Sequence, residues 1–181
     1  GVPEVVALVA RAGDALGRDA ELVAAGGGLG KLEQAPANRL LDRGLALDLD
    51  VGVLDALSTE ARSRPRRRAN GNLHAMEDPV HRLLNAVEPG TYIRPHRHLH
   101  PPKDATCLVV RGALGLVLFD ESGAVAATRR LSAAAGEAFG VDLPAGVLHT
   151  VVALEEGTVF FEVKAGPYVP LAPGEIAPFA P

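Results

Sequence analysis

From about residue 70 onward the chain alternates short apolar runs with clusters of turn residues. The runs are Val80 to Val87, Thr91 to Arg94, Thr106 to Arg111, Leu114 to Phe119, Val125 to Leu131, Ala138 to Leu143, His149 to Leu154 and Val159 to Lys164. Between them stand Glu88-Pro89-Gly90, Arg111-Gly112, Asp120-Glu121-Ser122-Gly123, Pro144-Ala145-Gly146 and Glu155-Glu156-Gly157. Glycine tolerates the positive φ that tight turns need, and proline presets the turn while removing a ladder donor. Short β-prone runs at a spacing of about 8 to 12 residues predict a β-sandwich or barrel.

The N-terminal third follows another pattern. Val5, Leu8, Val9, Ala12 and Leu16 recur at three- and four-residue spacing, which predicts an amphipathic helix over Pro3 to Leu16. Beyond the glycine-rich stretch around Gly26 to Gly30, the pattern predicts a helix near Ala37 to Asp42, an alternating stretch Leu45 to Leu49, and a helix from Val51 to Arg62. Residues 1–68 are therefore expected to form an α-rich arm or cap, and 69–170 a β-barrel. Residues 171–181, at the end of a segment with five prolines between Pro167 and Pro181, are expected to form an extended tail.

Composition narrows the function classes. The 181 residues can bury one good core with a smaller appendage. Aromatic residues make up only 4% and tryptophan is absent, so the core must be built from Val, Leu and Ala. A formal charge of −4 argues against a nucleic-acid partner, which needs a basic field. The single cysteine forms no internal disulfide, no apolar run of about 18 residues exists, and the first residues lack a basic-then-apolar pattern. The expectation is a cytoplasmic protein with no membrane partner. Gly26 to Lys31 resembles a phosphate-binding loop only superficially, because Ala25 stands where the first glycine belongs and Leu32 where Ser or Thr must bind magnesium.

The candidate chemistry lies in the histidines. His96 and His98 are two residues apart after the Pro89-Gly90 turn, and side chains at i and i+2 of an extended segment share a face. His149 follows a second turn, Pro144-Ala145-Gly146. Three convergent neutral imidazoles suit a divalent transition metal. Zinc is the first choice on availability, with iron, nickel or manganese behind it. His100 shares the parity of the first pair, although Pro101-Pro102 should break the strand just after it. Cys107, among Leu108, Val109 and Val110, reads first as a small core residue. Both are kept as possible extra ligands.

Gly90, His96, His98 and Gly112, followed by Pro144, Gly146 and His149, resemble the two cupin motifs with their metal-binding histidines. The longer pattern runs from Arg66-Arg67-Arg68-Ala69-Asn70-Gly71-Asn72-Leu73-His74, through Asp78 to Ala86, to Phe160-Phe161-Glu162-Val163-Lys164-Ala165-Gly166-Pro167-Tyr168. Over about residues 52 to 170 it is similar to the WbuC-type cupin-fold metalloprotein family. The resemblance implies a double-stranded β-helix, or jelly roll, with a metal in the barrel mouth. It also implies a link to polysaccharide or O-antigen pathways and, by analogy with cupins, a homodimer; it implies no particular reaction. Two positions depart from the cupin pattern: Ala105 stands where the first motif carries an acidic ligand, and Ala153 where the second carries asparagine.

The resemblance places Asn72, His74, Arg82 and Asn85 near the barrel mouth as ligand-binding candidates; the alternative is that they bond backbone at strand ends. Tyr92 and Glu162 are the catalytic candidates, Glu162 either as a general base in the pocket or as a partner of Lys164 on the outer face. Arg62, Arg64, Arg66, Arg67 and Arg68 put five guanidiniums within seven residues. They read as a solvated, ion-paired face or, given their position before the β region, as a contact for an anion such as a nucleotide-sugar. A three-histidine site leaves the cation's charge uncompensated and attracts anionic ligands. The leading expectation is a metalloprotein for a small polar or anionic, sugar-like metabolite, acting if enzymatic as an isomerase, epimerase or hydrolase. The alternatives are a three-histidine iron dioxygenase and a non-catalytic, metal-stabilised assembly module.

Overall fold

The computed structural model describes residues 47–180. The helices expected at Pro3 to Leu16 and Ala37 to Asp42, the glycine-rich stretch and the start of the Leu45 to Leu49 run lie outside the described residues. Helix α1, Val51–Ser63, forms where the periodicity predicts it. Asp50 caps it by accepting the Val53 N–H at 3.1 Å, and Arg62 sits in its last turn, where a cation meets the negative end of the helix dipole.

Eight strands follow: β1 Arg68–Asn72, β2 Val80–Val87, β3 Ala105–Arg111, β4 Ala113–Phe119, β5 Val125–Ser132, β6 Gly140–Leu143, β7 His149–Ala153 and β8 Thr158–Ala165. They form one sheet in the order β1-β2-β8-β3-β6 and another in the order β5-β4-β7, every pair antiparallel. From β3 onward the chain crosses between the sheets at β3–β4, β5–β6, β6–β7 and β7–β8, so the strands wrap around a common core. This is a jelly roll of two antiparallel sheets.

Packing explains the pattern of each strand. Between the sheets lie Val87, Cys107, Val109, Leu114, Leu131, Ala153 and Phe160. A second layer, Leu57, Ala61, Ala69, Leu84, Ala86 and Val159, joins α1 to the outer face of the five-stranded sheet. From Leu83 on, strand β2 buries both faces, Leu84 and Ala86 toward the helix and Val87 toward the interior, which is why apolar residues stand there on both parities.

Three elements differ from the pattern-based expectation. The Thr91 to Arg94 run forms no strand. Pro95 interrupts its donors, and the segment joins the smaller sheet only where His96 and His149 exchange backbone hydrogen bonds at 2.9 Å. Strand β6 starts at Gly140 rather than Ala138, at a point where a Cβ would lie 2.5 Å from Leu108 Cδ2 and 2.7 Å from the Cys107 carbonyl. Strand β1 carries no apolar alternation and still pairs with β2 in continuous register from Arg68↔Val87 to Asn72↔Leu83.

Candidate metal centre

Two remote segments bring the histidines together. His149 opens β7 directly after the Pro144 turn, where Gly146 adopts φ +83° and its N–H donates to the His98 carbonyl at 3.1 Å. His96 and His98 lie on the irregular edge segment between β2 and β3. That segment is gripped from the other side by the chain's C-terminal part, with Arg97 N–H donating to the Glu175 carbonyl and Ala177 N–H to the Pro95 carbonyl, both at 2.9 Å. A 3-10 turn at Pro173–Glu175 precedes an isolated bridge from Ile176 to His96.

Each of His96, His98 and His149 offers one ring nitrogen within 4.8 Å of the others. Two nitrogens at about 2.1 Å from a common ion can be at most about 4.2 Å apart, so the cluster is close to the span one cation requires. Nδ1 of His96 lies 2.8 Å from the Arg94 carbonyl, and Nδ1 of His149 lies 2.8 Å from the Val147 carbonyl. A carbonyl only accepts, so each Nδ1 carries the proton and each Nε2 keeps its lone pair for a metal. Burial, reinforced by the neighbouring His149, lowers the His96 pKa to about 4; burial, then Lys164, lowers that of His98 to about 4. Burial also lowers His149. All three rings are neutral at pH 7, the form a cation needs, and the donor set suits zinc, iron, nickel or manganese.

His96 and His149 border a cavity of about 410 Å³. Ile93, Leu143, Val151, Phe160 and Leu171 give it apolar walls. A polar relay crosses it: Asn70 Nδ2 donates to Asn85 Oδ1, Asn85 Nδ2 to Glu162 Oε2 at 2.9 Å, and Lys164 Nζ to Glu162 Oε1 at 2.8 Å. Burial alone would raise the Glu162 pKa, but Lys164 and the Asn85 hydrogen bond outweigh it and hold the carboxyl below its ordinary value. Glu162 is thus a fixed anion with both oxygens engaged, and a weak base while Lys164 and Asn85 stay in place. Its pairing with Lys164 lies in the cavity wall and not on the outer face.

Of the other candidates, Asn85, Tyr92 and Cys107 line the cavity. The Cys107 thiol, cross-strand from Glu162, is pushed up to about 12 by burial and by that carboxylate. His100 is exposed and outside the imidazole cluster. Asn72, His74 and Arg82 do not line the cavity. His74 stacks on His81 with ring centroids 3.9 Å apart, and its Nδ1 lies 2.8 Å from the Arg82 carbonyl and 3.1 Å from the Arg82 N–H. Arg82 Nη2 donates to the Leu73 carbonyl at 2.8 Å, and Asn72 pairs with Leu83 in the ladder, so all three serve strand ends.

Sequence reasoning missed Asn70, Lys164 and Arg94 as cavity residues. Lys164 was within reach of it, since it shares the strand face of Glu162 two residues earlier. The arginine cluster splits: Arg62 pairs with Glu88, Arg64 with Glu60, and Arg67 donates to the Pro89 carbonyl, while Arg66 and Arg68 line the cavity.

A family model described as a domain of unknown function (DUF6016) matches residues 49–131, under half of the chain. No curated protein matches the sequence. Similar solved structures include KdgF from Halomonas sp., 22% identical with a TM-score of 0.45 over 59% of this chain and 85% of that one. Another is a sugar phosphate isomerase of the cupin superfamily from Silicibacter pomeroyi, 21% identical with a TM-score of 0.42 over 55% of this chain and 59% of that one. Oxalate decarboxylase from Bacillus subtilis, described with Mn(II) centers, is 18% identical with a TM-score of 0.43 over 57% of this chain. The match spans 26% of the decarboxylase's own length.

Proposed function

We propose that this chain is a cupin metalloprotein that binds one divalent cation through His96, His98 and His149, and a small polar or anionic, sugar-like metabolite beside it. The observation that carries the reading is the convergence of three neutral imidazoles, two of them with Nδ1 tied to a carbonyl, at the edge of a cavity with a basic wall. Zinc is the first candidate cation, and iron, nickel and manganese suit the same donors. When bound, such an ion acts as a Lewis acid that polarises a ligand oxygen. Lys164 Nζ donates to Glu162 in the cavity wall, and the Asn70–Asn85 pair fixes the same carboxylate. An isomerase, epimerase or hydrolase would combine this Lewis acid with a pocket residue that moves the proton.

The WbuC-type sequence pattern supports a place in polysaccharide or O-antigen metabolism, and cupin analogy supports a homodimer. The decisive experiment is elemental analysis of protein prepared without chelator or immobilised nickel, repeated on His96→Ala and His149→Ala. The expected result is about one cation per chain in the parent protein and loss of most of it in either variant, because two ligands make no adequate site. Unchanged stoichiometry in both variants overturns the reading.

A further inference from the structure

We propose that Arg66, Arg68 and Arg94 form a subsite for a phosphate monoester in the wall of this cavity. The inference deepens the ligand half of the proposed function, on which it rests, and does not depend on the identity of the cation.

The observation behind it is a selective lack of partners. Among the described residues, Arg62, Arg64, Arg97, Arg111 and Arg130 each pair with a carboxylate. Arg67, Arg82 and Arg129 donate to backbone carbonyls. Arg66 and Arg94 make neither kind of contact, and both line the cavity. Arg68, also in the lining, uses Nη1 on the Tyr92 carbonyl at 2.8 Å and keeps its other donors free. The same wall contains the Tyr92 hydroxyl, the one buried side-chain polar atom among the described residues with no hydrogen-bond partner.

The backbone brings these groups to one place. Thr91 Oγ1 donates to the Arg67 carbonyl, and Arg68 reaches the Tyr92 carbonyl, which lays residues 66–68 against 91–94. Arg67 is the one described non-glycine residue with positive φ, 51°, and this uncommon conformation falls between the two arginines that line the cavity. Charge is unbalanced there. The only carboxylate in the lining is Glu162, and Lys164 already neutralises it.

Three guanidiniums against no free anion favour a phosphate over a carboxylate. A phosphate monoester carries a charge of about −1.5 to −2 at neutral pH and three terminal oxygens, enough to engage several bidentate forks, whereas a carboxylate offers two oxygens and one charge. The apolar wall of Ile93, Phe160 and Leu171 leaves room for a compact body such as a sugar.

The test is isothermal titration of the full chain with glycerol 3-phosphate, uridine monophosphate and gluconate, in the presence of chelator and again after zinc loading. Glycerol 3-phosphate should bind in both states. Arg66→Ala and Arg94→Ala should each weaken it by about tenfold or more, while Arg129→Ala, on the exposed strand β5, should leave it unchanged. Circular dichroism checks that the variants are folded. Tighter binding of uridine monophosphate would assign the phosphate to a nucleotide, and tighter binding of glycerol 3-phosphate to a sugar or polyol, either of which sustains the subsite. Gluconate binding as tightly as the phosphates, or arginine variants that bind like the parent, would overturn it. Retained phosphate binding in a His149→Ala protein that also retains its metal would sink the metal centre alone; phosphate binding lost in chelator but intact in Arg66→Ala would sink the subsite alone.

Discussion

Glu175 Oε1 accepts the backbone N–H of Leu99 at 2.6 Å across a sequence separation of 76 residues. The same oxygen takes the His100 N–H at 3.1 Å, and Oε2 takes the Ala172 N–H at 2.7 Å. These bonds, that to Leu99 foremost, hold the carboxyl pKa down to about 2. Leu99 and His100 directly follow His98, so a carboxylate near the C-terminal end fixes the loop that presents a metal ligand.

Replacing this group should loosen the centre without touching a ligand. In Glu175→Gln one oxygen becomes an NH2 that faces backbone donors, and metal affinity should fall by about tenfold, the lower end of the range for residues that orient ligands. Competition with a chromogenic chelator measures it. The pKa is depressed in the fold, so the stabilisation is complete above the unfolded value of about 4.3 and is lost as pH falls toward 2. The difference in melting temperature between parent and variant should therefore close over that window. A constant difference from pH 7 down to 2 would mean that the carboxylate charge is irrelevant.

That grip was illegible in the sequence, because Glu175 lies in a proline-rich run whose composition signals only an extended segment. The histidines were legible, since i and i+2 spacing and two Pro/Gly turns are local signals that survive folding. So were most strands, whose apolar runs reflect burial between two layers. Strand β1 escaped because its buried residues are Ala69 and Gly71, too small to register as a hydrophobic pattern. The cavity wall was half legible. Asn85 stood out as a polar residue in an apolar run, but Asn70 and Arg94 reach the same space through pairing that no local pattern encodes.

Tyr92→Phe should not destabilise the ligand-free protein. Its hydroxyl is buried with no partner, and an unsatisfied buried polar group costs about 1–3 kcal/mol. Urea denaturation should show equal stability or a gain of up to about 1 kcal/mol. A loss of more than about 1 kcal/mol would reveal that the hydroxyl holds a bond in the folded chain.

Cys107 should resist alkylation. Burial first, and Glu162 second, raise its thiol to about 12, so almost no thiolate exists at pH 8. Because the thiolate is the nucleophile, iodoacetamide should modify the folded chain on the order of a thousandfold more slowly than the urea-unfolded chain. Mass spectrometry of quenched samples gives both rates. Equal rates would mean that the cavity admits water and reagent to the sulfur.

Arg111→Ala should detach helix α1 from the barrel before it unfolds the barrel. The guanidinium donates Nη1 to Asp55 at 2.6 Å, Nη2 to the Leu54 carbonyl at 2.9 Å and to Ser58 Oγ, and Nε to the Gly157 carbonyl at 2.9 Å. It thus ties three positions of α1 to the turn before β8, and Ser58 is only 1% exposed, so water cannot readily replace that bond. The exposed Asp55 pair contributes little, and the buried and backbone bonds set an expected loss of about 1–3 kcal/mol. The apolar layer under α1, with Leu57 and Ala61 on Leu84 and Ala86, is separate from the core between the sheets, which gives the helix a lower local stability to lose. Hydrogen exchange should therefore accelerate at the amides of Leu54 to Ser63 while those of β4 and β7 keep their rates. Equal acceleration in both regions would show that helix and barrel open as one unit, and that Arg111 stabilises the whole fold instead of a docked element.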